Sequence, residues 1–168
     1  MTPGDSLRKI HSRAPTRIDL AGGTVDIWPI HLLLGEPTTI NVGIDLFAET
    51  TLEESKSFAG VILRAEDQGT ELRLPWDAFQ ARTGLPSEVT PQLELHFKLL
   101  RHFVHERGKP ATGGLTLSTL AKSPAGAGLG GSSALSVSMI GALATWARGH
   151  VDFERDGERL IDITRDVE

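Results

Sequence analysis

The segment S-P-A-G-A-G-L-G-G-S-S-A-L, residues 123–135, sets four glycines (Gly126, Gly128, Gly130, Gly131) close together, then Ser132 and Ser133, then a helix-forming run from Ala134. Glycine admits positive φ and lets a ligand approach the backbone with no Cβ in the way. Ser132 or Ser133 is expected to act as N-cap of the helix behind it. A glycine loop that feeds a helix N-terminus directs amide groups and a positive dipole end at one place, which suits a phosphate.

Spacing excludes two familiar phosphate loops. Gly126, Gly128 and Gly131 satisfy G-x-G-x-x-G, but that fingerprint must follow a strand directly and open a βαβ unit. Here residues 121–125 separate the loop from the apolar strand candidate Leu115–Leu120, and the stretch before Asp152 leaves no room for a second strand. Gly126 and Gly131 also bracket four residues as in G-x-x-x-x-G-K-[ST], yet Ser132 stands where the lysine belongs.

The pattern P-x-G-x-G-L-G-x-S-S-A, met by Pro124 to Ala134 with Gly131 in place of the commoner serine, resembles the signature of the GHMP kinases (galactokinase, homoserine kinase, mevalonate kinase, phosphomevalonate kinase). A second stretch, R-A-P-T-R-I-D-L-A-G-G-T-V-D (Arg13 to Asp26), resembles their first motif, A-P-x-R followed by an apolar strand, a glycine turn and T-D. The A-G-G turn is nearer to the branch acting on heptose 7-phosphate and fucose than to the galactokinase branch. It departs from that branch by one missing glycine and by Val25 ahead of Asp26.

The resemblance implies roles. Pro124, Gly126, Ala127, Gly128, Leu129, Gly130, Gly131, Ser132 and Ser133 would hold the phosphates of ATP. Alignment puts the Mg²⁺-ligand serine at Ser132, with Ser133 as the alternative. Gly22, Gly23, Thr24 and Asp26 would bind the phosphoryl acceptor, Asp26 through sugar hydroxyls, and Arg17 would stabilise the transferring phosphate. Asp19 alternates with Arg17 along a strand, shares its face and can pair with it. The implied fold is the α/β domain of ribosomal protein S5 domain 2: a mixed sheet with helices packed on it and a phosphate loop leading into a buried helix.

Composition agrees with a globular chain. The 168 residues are 39% hydrophobic and 23% charged, and the net charge of -5 speaks against nucleic acid or anionic membrane as the main partner. No cysteine is present, so disulfides and thiolate metal sites are excluded, which suits a cytoplasmic protein. Residues 8–20 read as a short strand pair broken at Ala14-Pro15, and residues 27–34 as a loop or short helix beneath the sugar site. Residues 38–52 form the longest strand candidate, and residues 61–65 and 72–74 a hairpin through Asp67-Gln68-Gly69. Thr90-Pro91 opens a helix with Leu93, Phe97, Leu100 and Val104 as its stripe, and Gly108 ends it. Its histidines, His96, His102 and His105, read as solvated rather than metal-binding.

The helix from Ala134 to Arg148 is apolar almost all round, with Leu135, Val137, Met139, Ile140, Leu143 and Trp146, and is therefore expected to be buried. Asp152 is placed to cap a last helix with Leu160, Ile163 and Val167 on its apolar face. Because the family places a catalytic aspartate, a third glycine motif and a second domain further on, residues 1–168 read as the N-terminal, nucleotide-binding portion of a longer kinase. The expected function is ATP- and Mg²⁺-dependent phosphorylation of a sugar or sugar phosphate. A homoserine- or mevalonate-type kinase and a non-catalytic nucleotide or sugar binder are the alternatives. The sequence leaves the oligomeric state open.

Overall fold

A computed structural model of the chain describes residues 7–23, 25, 29–35, 37–109, 113–124 and 126–167. Five strands, β1 (Lys9–Ala21), β2 (Ile40–Ser55), β3 (Gly60–Ala65), β4 (Thr70–Leu74) and β5 (Gly114–Ala121), form one sheet in the order β1-β2-β5-β3-β4. The β3–β5 pairing is parallel and the other three are antiparallel, so the sheet is mixed as expected. β1 is a single strand rather than a broken pair. Proline lacks a ladder donor, but β1 is an edge strand, and a register shift between Pro15 and Arg17 absorbs the irregularity.

Alternation decides which side of the sheet is covered. Ala48, Thr50 and Leu52 on β2 are buried, as are Leu115, Leu117 and Thr119 on β5 and Val61, Leu63 and Ala65 on β3. These period-two sets are brought side by side by the register. Against them pack α2 (Pro91–Arg107) and α3 (Gly131–Arg148), and α4 (Phe153–Val167) packs on those two helices. Thr90 and Gly108 bound α2 as predicted, Gly108 with φ of 87°. Leu93, Phe97 and Leu100 are buried on it, and Phe97 stacks on Phe79 at 4.7 Å. At the head of α4, Asp152 Oδ1 accepts from the amides of Glu154 (3.1 Å) and Arg155 (3.4 Å), the expected cap.

Four expectations need correction. Helix α3 begins at Gly131, three residues before Ala134, with Gly130 as its N-cap and no side-chain cap bond, so neither Ser132 nor Ser133 is the cap. The left-handed backbone of Gly130 (φ 65°, ψ 29°) turns the chain into the helix without help from a hydroxyl. Val137 is exposed, although the helix is otherwise buried or half-buried from Ala134 onward. Helix α1 (Ile30–Leu34) exposes its apolar residues instead of packing them, with Leu32, Leu33 and Leu34 all open to solvent. His96 is buried, not solvated.

Candidate functional site

Positive φ recurs at alternate positions through the glycine loop: 75° at Gly126, 69° at Gly128 and 65° at Gly130. Every described residue with positive φ is a glycine, so the G-x-G-x-G spacing is what this backbone demands. Two hydrogen bonds fix the loop. Ala127 N–H donates to the Pro124 carbonyl (3.3 Å), and Arg17 N–H on β1 donates to the Leu129 carbonyl (3.0 Å). The amide of Ala134 then donates to the Gly130 carbonyl at 2.9 Å, the first bond of α3. Amides of the first turn ahead of it have no acceptor within the helix and carry the positive end of its dipole.

The loop walls a cleft of about 800 Å³, lined by Ser123, Pro124, Gly126 to Ser132 and Leu135 on one side and by Asp67 and Gln68 on the other. Both serines are exposed, but only Ser132 lines this cleft. Asp67 and Gln68 sit in a 3₁₀ turn (Glu66–Gln68) between β3 and β4, a place that hairpin chemistry alone does not mark as functional. They reach the site because β3 and β5 run parallel, which sets the C-terminal ends of both strands at one edge of the sheet. Asp67 Oδ1 accepts from the Ala121 amide at 3.3 Å, joining the turn to the strand that delivers the loop.

Arg17 connects this cleft to the N-terminal glycine turn. Its guanidinium lies over Gly130, with Nη1 3.6 Å from where a Cβ would stand, and its Nε donates to Asp19 Oδ1 at 3.2 Å. Asp19 in turn rests on Gly23, where a Cβ would come within 2.8 Å of the aspartate Cβ and 2.9 Å of Oδ2. Gly22 has φ of 74°, and a Cβ there would lie 2.5 Å from the Thr38 carbonyl oxygen. The turn closes with Val25 N–H on the Gly22 carbonyl at 3.1 Å. Arg17, Gly22, Gly23 and the loop are thus brought together. Thr24 and Asp26 lie outside the described residues.

The other cation beside the loop is engaged elsewhere. Lys122 pairs with Glu49, which His11 approaches at 3.3 Å. The Lys122 contact, reinforced by His11, holds the Glu49 carboxyl below its usual range against the opposing effect of burial. Among the described residues no cluster of three or more His, Asp, Glu or Cys could hold a metal ion. The cleft fits a Mg²⁺ that arrives with its nucleotide, since that ion keeps several waters and uses few protein oxygens besides phosphate. Ser132, on the wall, would be one such oxygen.

Residues 94–168 match the family model described as GHMP kinases N terminal domain. A curated relative, the L-fucokinase/L-fucose-1-P guanylyltransferase of Bacteroides fragilis, is 31% identical over 149 residues, covering 80% of this chain and 15% of that protein. Among solved structures, a D-glycero-D-manno-heptose 1-phosphate kinase from Bacteroides thetaiotaomicron superposes with a TM-score of 0.72 at 23% identity, over 95% of this chain and 48% of that one. The mevalonate kinase of Methanococcus jannaschii gives 0.69 at 16% identity, over 99% and 48%. Lactococcus lactis galactokinase, solved with galactose, gives 0.62 at 16%, over 98% and 39%. The chain spans less than half the length of each of these relatives. The structural likenesses establish the ribosomal protein S5 domain 2-like fold. The matched family model and the 31% identical relative, with the two motifs that meet at Arg17, show that the chain belongs to the GHMP kinase superfamily.

Proposed function

We propose that this chain carries the ATP phosphate site and part of the acceptor site of a cytoplasmic sugar or sugar-phosphate kinase. One observation carries the reading: Arg17 spans the space between the glycine loop, over Gly130, and the glycine turn, through Asp19 and Gly23. A cation at that junction sits where a terminal phosphate would pass from a nucleotide on the loop to an alcohol at the turn. In such a transfer the acceptor oxygen bonds to the terminal phosphorus, the bond to the bridging oxygen of ADP breaks, and the hydroxyl proton leaves to a base.

The chain's own contribution is positioning and charge. Loop amides and the α3 dipole hold phosphate oxygens, Arg17 offsets the charge that develops on the transferring group, and Ser132 supplies an oxygen to Mg²⁺. When bound, Mg²⁺ would neutralise phosphate charge. A sugar acceptor is favoured by the 31% identity to a protein named for fucokinase activity and by the A-G-G turn. Asp26 and Thr24 are assigned to that acceptor by their motif positions.

Calorimetric titration with Mg-ATP tests the reading. Ser132→Ala is expected to weaken binding by about tenfold, the loss of one charge-assisted contact. Equal affinity in the variant would remove Ser132 from the site, and no binding by the folded wild-type chain would overturn the nucleotide assignment.

A further inference from the structure

Gly131 opens α3 without a side chain, yet its φ is one that any residue can adopt. Conformation therefore does not call for glycine there. Space does: a Cβ on Gly131 would collide with Oγ of Ser123, whereas the Ser123 Cβ would lie at an unstrained 3.5 Å. Apart from its chain neighbours and its own helix backbone, no other atom of the described residues comes within 4 Å of that position. The Ser123 hydroxyl, delivered just beyond the end of β5, thus occupies the place where a side chain of the first helical residue would begin. Ser123 lines the same cleft as Ser132.

We infer that Ser123 is a phosphate-binding residue, and that Gly131 is glycine because the Ser123 hydroxyl fills its side-chain position. The hydroxyl stands at the helix N-terminus, where it can donate to a phosphate oxygen alongside the loop amides. Each position can present one hydroxyl to that spot, from the strand or from the helix, but the two exclude each other. This role rests on the nucleotide reading of the loop.

An exchange of the two side chains tests it, by calorimetry with Mg-ATP on the 168-residue chain and with thermal melting as the check on folding. Ser123→Ala is expected to weaken Mg-ATP by about tenfold with an unchanged melting midpoint. Gly131→Ser alone is expected to lose affinity, because its Cβ turns the Ser123 hydroxyl out of that place. Combined in one chain, Ser123→Ala opens the space for Gly131→Ser, and affinity is expected to return to within about threefold of wild type, a non-additive pair. Wild-type affinity in Ser123→Ala would overturn the role, and wild-type affinity in Gly131→Ser would overturn the exclusion. A folded double variant that binds no better than Ser123→Ala would also overturn the proposal. A wild-type chain that binds no Mg-ATP would overturn the nucleotide reading itself, and this role with it.

Discussion

At His96 the imidazole is 1% exposed, Nε2 lies 2.6 Å from Thr119 Oγ1, and Nδ1 has no hydrogen-bond partner. Thr119 has its own acceptor in the Arg64 carbonyl at 3.5 Å, so Nε2 is the donor of the pair and Nδ1 keeps a bare lone pair. Protonating Nδ1 would bury an unpaired charge. Burial accordingly pushes the His96 pKa down to about 4, against a weaker upward pull from Asp67. Because the folded value lies below the unfolded one, this group leaves stability intact above the unfolded pKa of about 6.5 and erodes it as pH falls toward 4. Urea unfolding at pH 7.5 and 4.5 is expected to show wild type losing about 2 kcal/mol more than His96→Gln, whose side chain stays neutral. Equal losses would mean that His96 is not held neutral. The solvated reading of His96 overlooks its place three residues after Leu93 and four before Leu100, on the apolar stripe itself. Ser123 was not legible in the sequence: the space it fills opposite Gly131 exists only once β5 and α3 meet.

Helix α3 is anchored differently at its two ends. Near its start, Ala134 packs with Ala14 and Ala48, small side chains that let the first turns approach β1 and β2 closely, and Thr50 shares a buried 2.8 Å hydrogen bond with Ser138. At its far end, Trp146 Nε1 donates to Glu54 Oε1 at 2.9 Å, the Arg107 guanidinium covers the indole at 4.2 Å, and Arg8 donates to the last carbonyls. Burial pushes the Glu54 carboxyl up, but the bonds from Trp146 and Arg107 outweigh it and hold the group below its usual range.

The two ends should therefore respond differently to substitution. Ala48→Leu overpacks the close contact, so it is expected to cost about 1–3 kcal/mol and also to weaken Mg-ATP binding by displacing the helix start. Glu54→Ala strands the Trp146 N–H and is expected to cost about 1–3 kcal/mol while leaving Mg-ATP affinity unchanged. Chemical denaturation paired with calorimetry separates the two, and a loss of affinity in Glu54→Ala would count against a rigid helix with independent ends. The existence and burial of α3 followed from its residues, but its first turn did not. A left-handed glycine cap leaves no side-chain signature, whereas a serine beside a glycine suggests one falsely.

Over the whole molecule, one sheet face is covered by helices while the outer end of β1 and β2 is bare. Ile18 pairs with Val42 in register, Leu20 and Ile40 follow on the same face, and all four are exposed, as are Leu32 to Leu34 of α1. An apolar surface of this kind is a liability for a chain on its own. Leu20→Ser with Val42→Ser is expected to reduce the fluorescence of an apolar dye bound to the folded chain without lowering its melting midpoint. Unchanged dye binding would place the surface elsewhere. The mixed sheet and the loop-to-helix junction were legible from two motifs and a few periodic runs. Strand order was not, because nothing local says that β5 must lie between β2 and β3.

That order has a consequence for how the chain reaches its fold. β2 and β3 follow one another in sequence yet do not touch in the sheet; β1–β2 and β3–β4 are separate hairpins that only β5 joins. Hairpins close locally and fast, whereas a strand inserted between them must first close long loops. As the chain emerges during synthesis, its first hundred or so residues can form two independent halves and no complete sheet. Residues 114–121 are the last strand to arrive, and the residues made next are those of the glycine loop. The segment that joins the two halves of the sheet is therefore also the one that delivers the glycine loop.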